Sequence, residues 1–192
     1  MKRNATVFFG CLLCCLVLFP GERCLAKKVK GVNFSETLTI KGTSCKLVGV
    51  GIRKKLVINV YLGGLYMAQP STAADEVISS DQTKRMMLHF LYKEVTAEQL
   101  IEAWNEGFEK NAGQSVSALK EKIALFNSFF TESAKKGEMI IITYLPGEGT
   151  QVVINGNLKG TIEGTDFMKA LFSIWFGQFP PSKGLKKGML GG

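Results

Sequence analysis

The sequence predicts an antiparallel α+β domain. Three observations carry that expectation: runs rich in β-branched and aromatic residues separated by turn chemistry, two stretches of helical periodicity after them, and a meander of short strands ahead of a last apolar helix. With 192 residues, 46% of them hydrophobic, the chain can bury one sizeable core and has no obvious room for a second.

Phe34 to Ile40 alternates as a strand, Lys41-Gly42-Thr43-Ser44 supplies a turn, and Lys46 to Ile52 resumes an extended pattern. Leu56 to Met67 reads as one long strand with Gly63 and Gly64 inside it, a sign of a bulge or a close backbone approach, and Pro70 ends it. Ala73 to Ser80 is a short helix candidate, and Arg85 to Tyr92 is apolar and aromatic enough to be a buried strand holding His89. Thr96 with Gln99 forms a capping box for a helix whose Leu100, Ala103, Trp104 and Phe108 share a face and which Gly113 closes. A second helix is expected from about Ser115 to Lys135, with Leu119, Ile123, Phe126, Phe129 and Phe130 on its apolar side. Met139 to Leu145, Gln151 to Ile154 and Leu158 to Ile162 read as strands, the last two joined by Asn155-Gly156-Asn157. Asp166 to Phe176 is a third, strongly apolar helix, stopped by Gly177 ahead of Pro180 and Pro181.

Residues 1–26 depart from this composition. Lys2 and Arg3 precede the apolar run Val7 to Phe19, and small or polar residues follow, ending at Cys24-Leu25-Ala26, the layout of a secretory signal peptide. The rival readings are a retained anchor, for which the run falls short of the ~20 residues of a bilayer span, and a lipid attachment at Cys11, which would lie improbably early. Cleavage near Ala26 leaves residues 27–192 as the domain, places it in the periplasm or outside the cell, and leaves Cys45 as the mature chain's one thiol, so that no intramolecular disulfide forms. The net charge of +8 includes +2 from the leader (Lys2, Arg3 and Arg23 against Glu22), leaving +6. Basic clusters at Lys27, Lys28 and Lys30 and at Lys183, Lys186 and Lys187 lack the interleaved aromatics of a nucleic-acid platform; they leave room for weak attraction to a membrane surface.

Standard catalytic sets are mostly absent. One histidine and one mature cysteine exclude a His/Cys metal cluster and argue against Ser/His/Asp or Cys/His catalysis; no metal and no cofactor is implied, and Cys45 and His89 read as packed residues. Gly49-Val50-Gly51 is only part of a dinucleotide fingerprint and reads as a backbone turn. Arg53 and Tyr61 are the remaining pair of interest: a fork suited to a carboxylate, and a hydroxyl donor in an apolar strand. On residues alone, an Arg53 exposed beside Lys54 and Lys55 is an equal alternative.

The run Gly49-Val50-Gly51-Ile52-Arg53, followed by Val60-Tyr61-Leu62-Gly63-Gly64-Leu65-Tyr66, resembles the signature of the chalcone isomerase-like family, which spans isomerases, non-catalytic relatives and fatty-acid-binding proteins. Val95 to Gln99, Leu145 to Thr150, Ile162-Glu163-Gly164, Ile174 to Gly177 and Met189-Leu190-Gly191 extend the resemblance over nearly the whole mature chain. It implies an open-faced β-sandwich in which a large antiparallel sheet is covered by a layer of helices. It also implies that Arg53 is a ligand-facing arginine and that Tyr61 stands where the fatty-acid binders hold a carboxylate with a tyrosine and the isomerases have a threonine. Leu100 and Gly107 fall where the isomerases present a tyrosine and an asparagine, and Met168 where they present a threonine, so these ligand-binding positions have lost their polar groups.

The resemblance therefore points to a non-catalytic binder of a fatty acid or similar apolar carboxylate held by Arg53 and Tyr61. The alternatives are an isomerase of the intramolecular lyase type on another substrate, with Arg53 stabilising developing negative charge, and a structural envelope-interaction protein. A long, dead-ended apolar cavity with Arg53 at one end favours binding, and a filled core favours the structural role. One geometric condition follows: eight residues of straight strand would part Arg53 and Tyr61 by roughly 26 Å, so the chain must turn around Lys54 and Lys55.

Overall fold

The structure is a computed structural model that describes residues 26–192, so the expected leader up to Leu25, with its four cysteines, lies outside the described residues. A two-stranded ribbon opens it, β1 (Ala26–Val29) against β2 (Val32–Ser35). The strands β3 (Thr37–Ile40), β4 (Thr43–Lys55) and β5 (Ile58–Met67) follow, then helix α1 (Ala74–Ser79), β6 (Lys84–Phe90) and the short β7 (Glu94–Val95). Next come α2 (Ala97–Ala112), α3 (Ser115–Ala118), α4 (Lys120–Ser128) and β8 (Ala134–Lys135), which pairs with β7. The meander β9 (Met139–Leu145), β10 (Gly149–Ile154) and β11 (Asn157–Ile162) leads to α5 (Thr165–Phe176) and α6 (Lys183–Met189).

Seven strands form one antiparallel sheet in the order β11-β10-β9-β6-β5-β4-β3. Strand alternation divides its faces. In β6, Lys84, Met86, Leu88 and Phe90 are buried under the helices while Arg85, Met87 and His89 stand half-buried on the other face. The helix-side core is aromatic: Trp104 of α2 meets Phe126, Phe130 and Trp175, and Phe126 meets Phe108 and Phe167. On the other face a smaller cluster, Phe34, Ile40, Cys45, Val50, Leu62 and Tyr66, packs beneath the β1–β2 ribbon. Gly64 is needed there, since a Cβ at that position would lie 2.8 Å from the Phe34 ring.

The expected second helix is a correction. It breaks at Leu119 into α3 and α4 and ends at Ser128; the chain then turns so that Ala134 and Lys135 pair with Val95 and Glu94. The long strand expected from Leu56 begins at Ile58, because Leu56 and Val57 are the hairpin loop. The reading of Gly49-Val50-Gly51 as a turn is also corrected, since these residues lie inside β4. There they admit a helix at backbone distance. A Cβ on Gly51 would sit 2.1 Å from the Leu185 carbonyl oxygen, one on Gly49 2.3 Å from that of Gly188, and one on Gly188 2.6 Å from the Gly51 Cα. Helix α6 therefore lies in a glycine-paved trough on β4, with Leu185 and Met189 buried beneath it.

Candidate functional site

The Leu56-Val57 loop folds β4 back on β5 so that Arg53 and Tyr61 become direct cross-strand partners. Beside them the ladder slips: Lys54 pairs with Asn59, so Val60 is an extra residue in β5. Such a bulge re-aims side chains, and here both Val60 and Tyr61, adjacent in sequence, are buried and line one cavity. The guanidinium carbon of Arg53 lies 5.7 Å from the centre of the Tyr61 ring, a cation–π distance.

That cavity holds about 180 Å³ between α2 and the adjoining ends of β4, β5 and β6. Leu100, Trp104 and Gly107 line it from α2, Phe90 from β6, and Phe179, Pro180 and Pro181 from the segment leading into α6. Asn111 pins that segment, donating to the Phe179 carbonyl at 3.1 Å and accepting from the Phe179 N–H at 2.9 Å. The exposed side chains of Gln99, Glu106 and Lys110 complete the outer lining. Glu106 and Lys110 are ion-paired one helical turn apart, and this lysine, with lesser help from Arg53 and Lys55, holds the Glu106 carboxyl below its usual range.

Three donors on residues that line this cavity lack an acceptor among the described residues. The Nε of Arg53 and the Nε1 of Trp104 are both buried without a hydrogen-bond partner. The Tyr61 hydroxyl, 2% exposed, accepts from Trp175 Nε1 at 2.9 Å, which uses its lone pair and leaves its own proton without a protein acceptor. Burial pushes the Tyr61 pKa up, against the pull of Arg53 and the Trp175 bond, so the hydroxyl keeps its proton at neutral pH. Unpaired buried donors cost free energy, and an anionic or strongly accepting guest within their reach would relieve that cost.

The profile described as chalcone isomerase-like matches residues 26–191. The chain belongs to the chalcone isomerase-like family. A solved fatty-acid-binding protein of Arabidopsis thaliana has the same fold, with a TM-score of 0.66, 20% identity, and a match covering 86% of this chain and 96% of that one. Among curated proteins none matches.

In this chalcone isomerase-like protein the positions singled out in the sequence divide. Arg53, Tyr61, Leu100 and Gly107 line the one cavity. Met168 does not; it is fully buried in α5, in the core behind. Gly107 has a packing role as well, since a Cβ there would lie 2.6 Å from Ile174 Cγ2, so α2 crosses α5 at a distance only glycine allows. The cavity is also shorter than a long tunnel, because the Trp104, Phe126, Phe130 and Phe167 rings fill the space deeper in. Trp104 and the Phe179 to Pro181 segment were missed as lining. The tryptophan carries the periodicity of any core position, and the segment is held at the cavity by the Asn111 bonds from α2 together with the seating of α6 on β4.

Proposed function

We propose that this protein binds a compact apolar carboxylate, its head group held by Arg53 and Tyr61 and its apolar part against Val60, Phe90, Leu100 and Trp104. The observation that carries this reading is that three donors without acceptors, Arg53 Nε, Tyr61 O–H and Trp104 Nε1, belong to residues that line one cavity. A carboxylate supplies acceptors for such donors, and its charge-assisted bonds are the stronger kind. The fatty-acid-binding relative of the same fold supports the ligand class. Size narrows it: an apolar cavity of ~150 Å³ takes a benzene-sized guest. The 180 Å³ here suits a short or medium chain, or one ring, with a longer tail leaving past Phe179.

The binding is non-catalytic. Leu100 and Gly107 bring no hydroxyl or amide to the cavity, and Ile174 occupies the room a side chain at Gly107 would need. We read residues 1–26 as an export leader, which puts the binding in the periplasm or beyond.

Calorimetric titration with octanoate tests the proposal. Arg53→Ala should weaken binding about tenfold or more, the loss of one charge-assisted bond of ~1.5 kcal/mol or above. Unchanged binding by that variant, or turnover of a chalcone by the native protein, would overturn it.

A further inference from the structure

Of the four two-residue hairpin loops among the described residues, three use glycine to meet their geometry. Lys30-Gly31, Lys41-Gly42 and Asn155-Gly156 each carry two positive φ angles, and glycine takes the second. The β4–β5 hairpin departs from this. Its loop is Leu56-Val57, with Leu56 at φ 55°, a left-handed conformation that a leucine adopts at a cost. Both side chains are almost wholly in water, Leu56 at 93% and Val57 at 94% exposure, with Ile58 exposed beside them. Neither stabilises the fold, and asparagine in place of Leu56 would meet its left-handed conformation at less cost. An apolar pair kept at such a position points to a contact outside the chain.

Lys54 and Lys55 precede the pair and are exposed, so the tip is apolar at its end and cationic at its base. Glu106 is the acidic group whose field reaches Lys55, and it is already held by Lys110. Two projecting side chains are too little for a stable protein interface, which needs ~800 Å² from each partner. They suffice for a prong that dips into the interfacial layer of a bilayer while lysines meet anionic head groups. No described helix is long and apolar enough to cross a membrane, so contact would be through the tip alone.

We propose that the β4–β5 hairpin docks this protein on an anionic lipid surface, Leu56 and Val57 entering the interface and Lys54 and Lys55 binding lipid phosphates. The base of the same hairpin carries Arg53, Val60 and Tyr61, so docking brings the cavity up to the lipid. Phe179, which lines that cavity and is 54% exposed, adds a second apolar contact on that side.

The test uses the domain from Ala26 onward, which holds every element described above and the whole family match, because an apolar leader would bind lipid by itself. Phosphatidylcholine vesicles with and without phosphatidylglycerol are the probe, read by co-sedimentation. The native domain should bind the phosphatidylglycerol vesicles and release as salt rises. Leu56→Asn with Val57→Ser should lower the partition about tenfold or more, and asparagine tolerates the positive φ, so the hairpin keeps its shape. Lys54→Gln with Lys55→Gln should lower it by about fivefold per charge and remove the preference for phosphatidylglycerol. Replacing Lys27, Lys28 and Lys30 by glutamine should change it little. No vesicle binding by the native domain, undiminished binding by the Leu56/Val57 variant, or an equal loss from the Lys27, Lys28 and Lys30 variant would each overturn the proposal. Octanoate titration in solution is independent of it: a domain that binds vesicles but no carboxylate keeps the docking and loses the cavity reading, and the reverse result separates them equally well.

Discussion

Replacing Tyr61 by phenylalanine deletes one oxygen and should be felt twice. The ring remains, with its packing against Phe90 at 5.6 Å and its place beside Arg53, so cavity shape is kept. What goes is the acceptor of Trp175 Nε1 and an O–H donor on a residue that lines the cavity. Trp175 is 0% exposed, so its N–H is left buried and unpaired, at a cost of ~1–3 kcal/mol. For a domain of this size about 2 kcal/mol lowers Tm by roughly 4–8 °C. Losing a hydrogen bond to a charged guest costs ~1.5–3 kcal/mol, so octanoate affinity should fall about ten- to a hundredfold. Trp175→Phe separates the two effects, since it removes the donor, leaves the Tyr61 hydroxyl in place and should destabilise the fold while sparing affinity far more. Differential scanning calorimetry and isothermal titration on both variants give the four numbers. A Tyr61→Phe protein that melts lower but binds octanoate as the native chain does would refute the head-group role and leave Tyr61 as a core hydroxyl serving Trp175.

Gly51→Ala should unseat α6, because its Cβ would fall 2.1 Å from a backbone oxygen that cannot swing away. Losing the burial of Leu185 and Met189 puts the cost at ~3 kcal/mol or more, checked by a melt and by new tryptic cleavage at Lys183, Lys186 or Lys187. Lys84, 0% exposed, donates to the Val77 and Ser80 carbonyls at 2.6 and 2.9 Å, the end of α1, and desolvation pulls its pKa down to about 8 despite Asp81 and Glu76. The unfolded chain then binds more protons from pH 8 upward, so stability should rise with pH between 8 and about 10. Above that the Tyr66 and Tyr144 hydroxyls, pushed up to about 12, begin to oppose the gain. Lys84→Met should flatten this slope in denaturant titrations, and an unchanged slope would count against the assignment. Finally, N-terminal sequencing of the protein from an envelope fraction should start near Lys27; a chain beginning at Met1 would speak against the leader.

Much of the fold is legible because periodicity survives in these residues. The capping box at Thr96 and Gln99 forms as read, with bonds of 3.1 and 3.3 Å, and the Asn155-Gly156 hairpin turns where it should. The breaks in legibility have local causes. Leu119, Ile123, Phe126 and Phe130 keep helical spacing straight through Leu119, whose φ of −98° and ψ of 7° separate α3 from α4 without any glycine or proline to announce it. The β4–β5 turn falls two residues later than Lys54-Lys55 because nothing in Leu-Val signals a loop. Helix α6 is invisible to propensity, having Gly184 and Gly188 within it; its signal is the pairing of Gly49 and Gly51 with Gly188, a match between distant segments. The site follows the same rule. Arg53 and Tyr61 could be singled out as residue types, but that their donors are unpaired, and that Trp104 joins them, depends on packing from α2 and α5.

The glycine trough on β4 also sets an order of events. The strand that receives α6 is made near the beginning of the domain and the helix near its end, so their contact is among the longest-range in the fold and closes a very large loop. Until that loop closes, Phe179 to Pro181 lack their tether to β4 and rest on the Asn111 bonds from α2. Any guest that touches Phe179 or Pro180 therefore favours the seated helix over the open one, and ligand occupancy and the locking of the last helix become a single equilibrium.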